Sequence, residues 1–376
     1  MRKVCYVSGT RADFGLMQTT LAAIQAHPAL ELSIVVTGMH LLPEFGETVA
    51  DIERAGLPIA RRVLVNMTPA TGATMARNIG RMLVEFVDAF ECIRPDVVML
   101  LGDRGEMLAG ALAAIHLNTP IVHIHGGELS GTVDEPVRHA ISKLAHFHFA
   151  ATVGSAERLE KMGERRSNII VTGAPGLDGL SSLAFIGRDA LLLEAGFRGD
   201  APVALMVYHP VLQEATSAGT DTDCILQALL DQGVQIIALM PNADAGSDAV
   251  RVILNQRKDE PGICLLTHLP RAKFISWMAH ADLMIGNSSA GIIEAASFGT
   301  PVINIGSRQG MRERNANVVD TPANPVDLAG VIETALARGR FDPGNLYGDG
   351  QTTARIVDFL ASNSLSVTDL VKTNAY

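Results

Sequence analysis

The chain has few of the features that mark several protein classes. Its four cysteines, Cys5, Cys92, Cys224 and Cys264, are widely spaced and form no CxxC pair. That pattern excludes a dense disulfide framework, so they read as small buried hydrophobes in a reducing compartment, with no disulfide expected. Aromatic residues make up 5% of the chain and Trp occurs once, while apolar residues reach 48%, a balance that suits an Ala/Gly/Val-rich α/β protein. Basic charge is scarce: 30 Lys and Arg stand against 40 Asp and Glu, leaving a net charge of −10. With no clustered Lys/Arg stripe to release counterions, nucleic acid is excluded as a partner. Long apolar runs are missing as well. No stretch approaches the ~20 residues needed to span a bilayer, and the apolar run before Ser8 and Gly9 is too short for a signal peptide. The expectation is a cytoplasmic protein with no membrane partner.

What is present is length and alternation. The 376 residues exceed the roughly 250–300 at which one hydrophobic core stops growing, so two domains are expected. Short Val/Ile-rich runs alternate with segments of helical period, the sign of a parallel sheet covered by helices on both faces. Strands are predicted over Lys3–Val7, Leu32–Thr37, Arg62–Val65, Asp96–Leu101, Pro120–Ile124, Phe147–Thr152 and Ile169–Thr172, then over Val203–Val207, Val234–Leu239, Ile263–Leu266, Leu283–Ile285 and Val302–Ile305. Met75, Ile79, Met82, Phe86, Phe90 and Ile93 recur at steps of three and four, placing one apolar stripe on a helix that ends before Pro95. The hinge falls between Gly173 and Ala201. The fold class is therefore α/β, with two doubly wound, Rossmann-like domains facing a central cleft. Residues 1–178 form the first and 179–351 the second, and a helix from Thr352 onward, within 352–376, crosses back onto the first. In such folds ligands lie at the carboxyl ends of the strands.

The strand ends carry the polar motifs. The first ends in Ser8-Gly9-Thr10-Arg11, where Arg11 suits phosphate. The fourth ends in Gly102-Asp103-Arg104-Gly105-Glu106; Asp103 sits where such sheets place chemistry, although it would also serve as a helix cap, with Arg104 pairing Glu106. The fifth ends in His123-Ile124-His125-Gly126-Gly127-Glu128, followed by Asp134-Glu135 and Arg138-His139. The alternation of a strand puts His123 and His125 on one face. A metal site is conceivable there, but no further ligands at metal spacing can be named, so neither metal nor cofactor is expected. Carboxylates gathered in a water-poor cleft instead raise at least one pKa and supply acid–base chemistry; Asp103, Glu128, and Asp134 or Glu135 are the candidates. His146 and His148 read as structural. In the second half, His209 ends a strand, Asn242 ends the next, and Gly286-Asn287-Ser288-Ser289 opens a helix carrying Glu294. Hydroxyls and free amides at that helix start suit phosphate, though Ser288 or Ser289 would equally be an N-cap. Arg308, with Arg312 and Arg314 nearby, adds positive charge.

Taken together, SGTRADFG at 8–15, VTGMHL at 36–41, LLGDRGEM at 100–107, HIHGGELSGTVDEPVRHAISKLAH at 123–146, YHP at 208–210, PNADAGSD at 241–248 and IGNSSAGIIEA at 285–295 resemble the hydrolysing UDP-N-acetylglucosamine 2-epimerases. The resemblance implies a glycosyltransferase-B-like arrangement. It also implies UDP on the second domain, with Ser288, Ser289 and His209 on the diphosphate, Glu294 on ribose and Arg11 reaching across. Catalysis by Asp103, Glu128 and an acid among Asp134 and Glu135 would eliminate UDP to 2-acetamidoglucal and then hydrate it to N-acetylmannosamine, as in sialic acid biosynthesis. His125, Arg138 and His139 would face the sugar, and a homodimer or homotetramer is expected. Some related enzymes carry Glu where this chain has His125, and Glu128 is the expected substitute.

Three other readings compete. One is a hydrolysing 2-epimerase of UDP- or GDP-N,N'-diacetylbacillosamine, on the legionaminic acid side, because pocket shape decides C4 and C6 specificity. Another is a glycosyltransferase of the same fold, and the third a sugar-nucleotide sensor without turnover.

Overall fold

Parallel pairing throughout, with a helix or loop returning the chain between strands, builds two separate sheets. The computed structural model describes residues 1–365 and 370–376. The first sheet holds β1 (Arg2–Ser8), β2 (Leu30–Thr37), β3 (Ile59–Val63), β4 (Val97–Leu101), β5 (Ile121–Ile124), β6 (Phe147–Ala150) and β7 (Ile169–Val171), in the order β3-β2-β1-β4-β5-β6-β7. The second holds β8 (Val203–Val207), β9 (Gln235–Leu239), β10 (Ile263–Leu266), β11 (Leu283–Gly286), β12 (Val302–Ile305) and β13 (Val318–Thr321), in the order β10-β9-β8-β11-β12-β13. Each sheet is doubly wound, and strand order reverses between β1 and β4 and again between β8 and β11.

The elements form where sequence pattern demands them. β4 and β8 are buried along their whole length, as strands covered on both faces must be. The helix Gly72–Ile93 buries Met82, Phe86, Ala89 and Phe90 and ends where Arg94 turns left-handed at φ 52°. β13 was not predicted: Val319 and Asp320 are exposed and only Thr321 is buried, so this edge strand lacks an apolar signature. The cysteines also depart from expectation. All four are free, but only Cys5 is buried and Cys92 is exposed, because Cys92 falls on the outer side of its amphipathic helix.

The chain returns to the first sheet at its end. The helix Thr352–Ser362 packs on Arg11–Ala26, and Phe359 meets Phe147 and Phe149 edge-to-face at 5.2 and 5.1 Å. Ile356 and Leu360 join the same core. The helix expected from Thr352 onward ends at Ser362, and 366–369 lie outside the described residues. Beyond them, Lys372 pairs with Glu164 at 2.6 Å and the Ala375 amide reaches the Gly163 carbonyl at 2.9 Å. Among the described residues no helix is long and apolar enough to cross a membrane.

Removing the ring that joins the returning helix to the first sheet leaves a cavity between Phe147 and Phe149. Phe359→Ala is expected to cost about 3–5 kcal/mol, read as a lowered denaturant midpoint. A midpoint shift below about 1 kcal/mol would mean that the helix is not part of that cooperative unit.

Candidate active site

Both reversal points face one cleft, and side chains bridge it. The Ala243 amide contacts Met39 Sδ at 3.2 Å, Arg11 donates to the Thr267 carbonyl at 2.7 Å, and Arg104 pairs with Asp244 at 3.1 Å. Glu128 pairs with Arg312. A Cβ on Gly131 would lie 2.6 Å from the Ser307 carbonyl oxygen, so the halves also meet through backbone.

On the first half, β4 delivers Asp103, which pairs with the buried Arg138. Asp103 does not cap the next helix, whose N-cap is Arg104 without a side-chain bond. Burial opposes the Asp103 charge, but Arg138, Arg312 and Arg308 outweigh it and hold the carboxyl below its ordinary pKa. Arg138 also donates to the Glu128 carbonyl at 3.0 Å and to Ser130 Oγ at 3.3 Å.

The His-x-His expectation fails for a backbone reason. β5 ends at Ile124, and His125 adopts φ 65°, leaving the extended alternation that would put both rings on one face. The His123 ring binds the Gly102 carbonyl at 2.7 Å and Ser142 Oγ at 3.0 Å, and burial pushes its pKa down to about 3. His125 Nδ1 lies 2.5 Å from Glu128 Oε1, while its Nε2 is buried without a hydrogen-bond partner. Glu128 is 2% exposed, with its second oxygen on Arg312; burial opposes its charge, but Arg312 and His125 push its pKa far down. Its two oxygens are thus committed to His125 and Arg312.

Asp134 goes the other way. Burial and the neighbouring charge of Asp103 raise its pKa, with Asp244 adding to the effect and Arg308 and Arg104 opposing it. The first half therefore holds ionised carboxylates beside one biased towards its acid form, the separation that acid–base catalysis uses. Glu135 accepts from the Ser130 amide at 2.8 Å and lies 3.4 Å from His139 Nε2. His146 and His148 sit apart from this group: His146 Nδ1 accepts from the Ile121 amide, and His148 lies 2.9 Å from Glu164.

On the second half, His209 follows β8. Its Nδ1 accepts from the Asn242 amide at 3.3 Å, and burial, with Arg308 nearby, lowers its pKa to about 3. The ring is therefore neutral at physiological pH and carries its hydrogen on Nε2, free to donate. Asn287, expected among the phosphate ligands, uses its side chain to hold that loop: it accepts from the His209 amide at 2.8 Å and donates to the His209 carbonyl at 2.7 Å. Arg308 donates to the Asn287 carbonyl at 2.9 Å. Ser288 caps the helix Ser289–Ile293, accepting from the Ala290 amide at 3.3 Å. That helix has 5 residues, so its dipole is slight.

A cavity of ≈ 400 Å³ opens between the halves, lined by Arg11, His209, Asn242, Ser288, Ser289 and Glu294 together with Leu269, Pro270 and Phe274. Its volume is that of an ordinary small-molecule site. Arg11 remains a cation there, although burial and Arg251 lower its pKa to about 10. Asp103, Glu128 and Asp134 do not line it. His209 joins the two regions, because it lines the cavity and feels the charges of Arg308 and Asp244.

Sequence reasoning missed Arg271, which pairs with the 1% exposed Glu294 and donates to the Gly176 carbonyl at 3.1 Å; nothing in its local motif signals this. Arg104, assigned to Glu106 alone, binds it at 2.9 Å and crosses to Asp244 as well. Arg312, in sequence no more than additional charge near Arg308, pairs with Glu128 across the cleft.

Two doubly wound domains meeting over a cavity, with a network of carboxylates and guanidinium groups from both halves beside it, define a two-domain Rossmann-type enzyme of the glycosyltransferase-B-like class. The UDP-N-acetylglucosamine 2-epimerase family matches residues 22–361; the chain belongs to that family and is a nucleotide-sugar 2-epimerase. It is 46% identical over 376 residues to the UDP-N,N'-diacetylbacillosamine 2-epimerase (hydrolyzing) of Legionella pneumophila, covering 100% of both chains. It is 33% identical over 353 residues to the UDP-N-acetylglucosamine 2-epimerase of Neisseria meningitidis, covering 94% of this chain and 92% of that protein. The fold matches the N. meningitidis UDP-GlcNAc 2-epimerase structure bound to UDP-GlcNAc with a TM-score of 0.80 at 19% identity, over 96% of this chain and 100% of that one.

The loop after β11 depends on one residue without a side chain. Gly286 has φ 127°, and a Cβ there would lie 2.1 Å from the Val207 carbonyl oxygen. Gly286→Ala is expected to separate β8 from β11, lowering stability by about 3 kcal/mol or more and weakening UDP binding in calorimetry. Unchanged melting and affinity would contradict this geometry.

Proposed function

We propose that this protein is a hydrolysing 2-epimerase of UDP-N,N'-diacetylbacillosamine, releasing UDP and the 2-epimer of the sugar. One arrangement carries the reading: proton-transfer groups from the first half face Arg308, Arg312 and His209 of the second, beside a cavity sized for a nucleotide. The choice of sugar is supported by the 46% identity to the Legionella enzyme. UDP-N-acetylglucosamine, placed first on motifs alone, becomes the second reading, favoured by the 33% identity to the Neisseria enzyme. Its products would be N-acetylmannosamine and UDP.

In the proposed complex, UDP occupies the cavity. Arg11, Arg308 and the His209 Nε2–H meet the diphosphate with Ser288 and Ser289, Leu269, Pro270 and Phe274 border the base, and Glu294 takes the ribose hydroxyls by exchanging its Arg271 contact. Asn242, Asn287 and Gly286 shape this surface and hold His209.

A base removes the C2 proton, the C1–O bond to the diphosphate breaks, and the electron pair forms the C1–C2 double bond of a glycal. Ionised Asp103 and the His125–Glu128 pair are the acceptors, with Glu128 orienting His125 so that the unpartnered Nε2 faces the reacting carbons. Asp134 then gives a proton to the opposite face of C2 as water adds its oxygen at C1; the proton that the water releases restores Asp134, and the base passes the proton taken from C2 to solvent. The net reaction consumes one water. Arg138 holds Asp103 and the Glu128 carbonyl in place, while Glu135 and His139 support the start of the helix bearing Asp134. The cations neutralise the departing diphosphate where charge develops.

The domain limits 1–178 and 179–351, cytoplasmic residence and a homodimeric or homotetrameric assembly belong to the same proposal; light scattering tests the last. The acid–base groups beside the cations weigh against a glycosyltransferase or an inert sensor.

Purified protein incubated in D2O with either UDP-sugar is expected to release UDP faster from the diacetamido substrate, leaving one deuteron at C2 of the product, read by anion exchange and proton NMR. Release without deuterium would remove the glycal route, and no release from either sugar would remove the function. A second outcome follows from Asp134. Acting as an acid, it must be protonated, so turnover falls as pH rises through its elevated pKa. Asp134→Asn is expected to lower kcat about 10²–10⁴-fold and to abolish that alkaline limb. Persistence of the limb in the variant would assign it to another group.

A further inference from the structure

A second, smaller recess lies beside Asp134, and its lining shares no residue with the nucleotide cavity. Its volume is ≈ 60 Å³, room for a few heavy atoms but not for a sugar ring. Met67, Met75, Ile79 and Met82 form the wall, and Arg104, Asp134 and Asp244 stand at its polar side. The polar groups set among the apolar wall are engaged, and the Asp134 carboxyl and the second oxygen of Asp244 stand on the opposite, polar side. Arg104 binds Glu106 and Asp244, Thr71 and Thr74 bond each other at 3.0 Å, and Asn78 donates to the Asn66 carbonyl at 2.8 Å. A hydroxyl turned away from those carboxyls onto Met67, Met75, Ile79 and Met82 would lose water without a partner on that wall, which is unfavourable. A methyl group loses nothing and gains contact with thioethers that adapt to its shape.

We infer that this recess is the specificity pocket for a methyl-terminated substituent on the side of the sugar remote from the leaving group, and that it disfavours a hydroxymethyl group there. The inference rests on the proposed function, since Asp134 lines the recess and also serves as the proton donor at C2. A sugar held over Asp134 would direct a substituent from C4 or C6 between Met75 and Ile79. Two sources of the methyl are possible in a 2,4-diacetamido-2,4,6-trideoxy sugar: the 4-acetamido group and the 6-deoxy carbon. The substituent is thereby read by apolar contact, which discriminates about 10–200-fold for a methylene-sized difference.

The test compares kcat/KM on three donors: UDP-N-acetylglucosamine, its 6-deoxy analogue, and the UDP-2,4-diacetamido-2,4,6-trideoxy sugar. Met75→Gln keeps the volume of the wall while supplying a polar partner, and Ile79→Ser opens and polarises it. In both variants the preference for the diacetamido donor over UDP-N-acetylglucosamine is expected to fall at least tenfold, with UDP affinity unchanged by calorimetry. If the 6-deoxy donor shares the wild-type advantage, the C6 methyl fills the recess; if only the diacetamido donor has it, the acetamido methyl does. Either supports the inference. A wild-type preference that both variants keep, with UDP still bound, overturns the inference alone. Wild-type turnover of UDP-N-acetylglucosamine only would overturn the substrate reading and this inference together.

Discussion

A carboxylate as buried as Glu128 persists in its charged form only against a cation, and its cation comes from the other half of the chain. Arg312 lies against one oxygen and the His125 ring against the other. Losing the Arg312 side chain while the halves stay closed would leave a charge in a medium that cannot solvate it, a cost of several kcal/mol. The closed arrangement and the ionisation of the site are therefore one condition. Arg104 with Asp244 repeats the logic with the signs exchanged, so each half presents both a cation and an anion to its neighbour.

The same constraint separates the protonation states. Asp103 lies within the fields of Arg138, Arg312 and Arg308, which hold its pKa down, while burial and then the negative charge of Asp103 raise that of Asp134. Two carboxyls in one cleft acquire opposite tendencies from their placement around a few guanidinium groups. The second half contributes rigidity. Asn287 clamps His209 at both backbone atoms, the Asn242 amide selects the tautomer of its ring, and Gly286 lets β8 and β11 approach closely enough for the clamp to form.

Legibility in the sequence followed the range of the interactions involved. Val203–Val207 and Val302–Ile305 were readable because a strand covered on both faces must be a continuous apolar run, and the stripe from Met75 to Ile93 because a helix covered on one face must repeat at 3.6. The edge strand Val318–Thr321 escaped because one open side removes that requirement. Cys92 escaped because a small apolar residue is tolerated on a solvent-facing helix. The positions of Asp103, Asp134 and His209 just past strand ends or at a helix start were legible, because that is a rule of topology that local pattern can apply. Arg271 and Arg312 had no such marker; each matters through a carboxylate distant in the chain, Glu294 or Glu128.

Sequence alone determined the βα alternation, the two sheets, the strand ends at which polar groups collect, and the family, because all of these depend on periodicity and on short motifs. Tertiary structure decided which polar group meets which. It turned His125 out of the strand alternation and onto Glu128, assigned Asn287 to the backbone of His209, set Arg312 across the cleft, and gave the recess beside Asp134 one wall of methionine and isoleucine. The physical reason is that charge state and pocket lining are sums over neighbours in space, and those neighbours come from distant segments, 184 residues apart for Glu128 and Arg312.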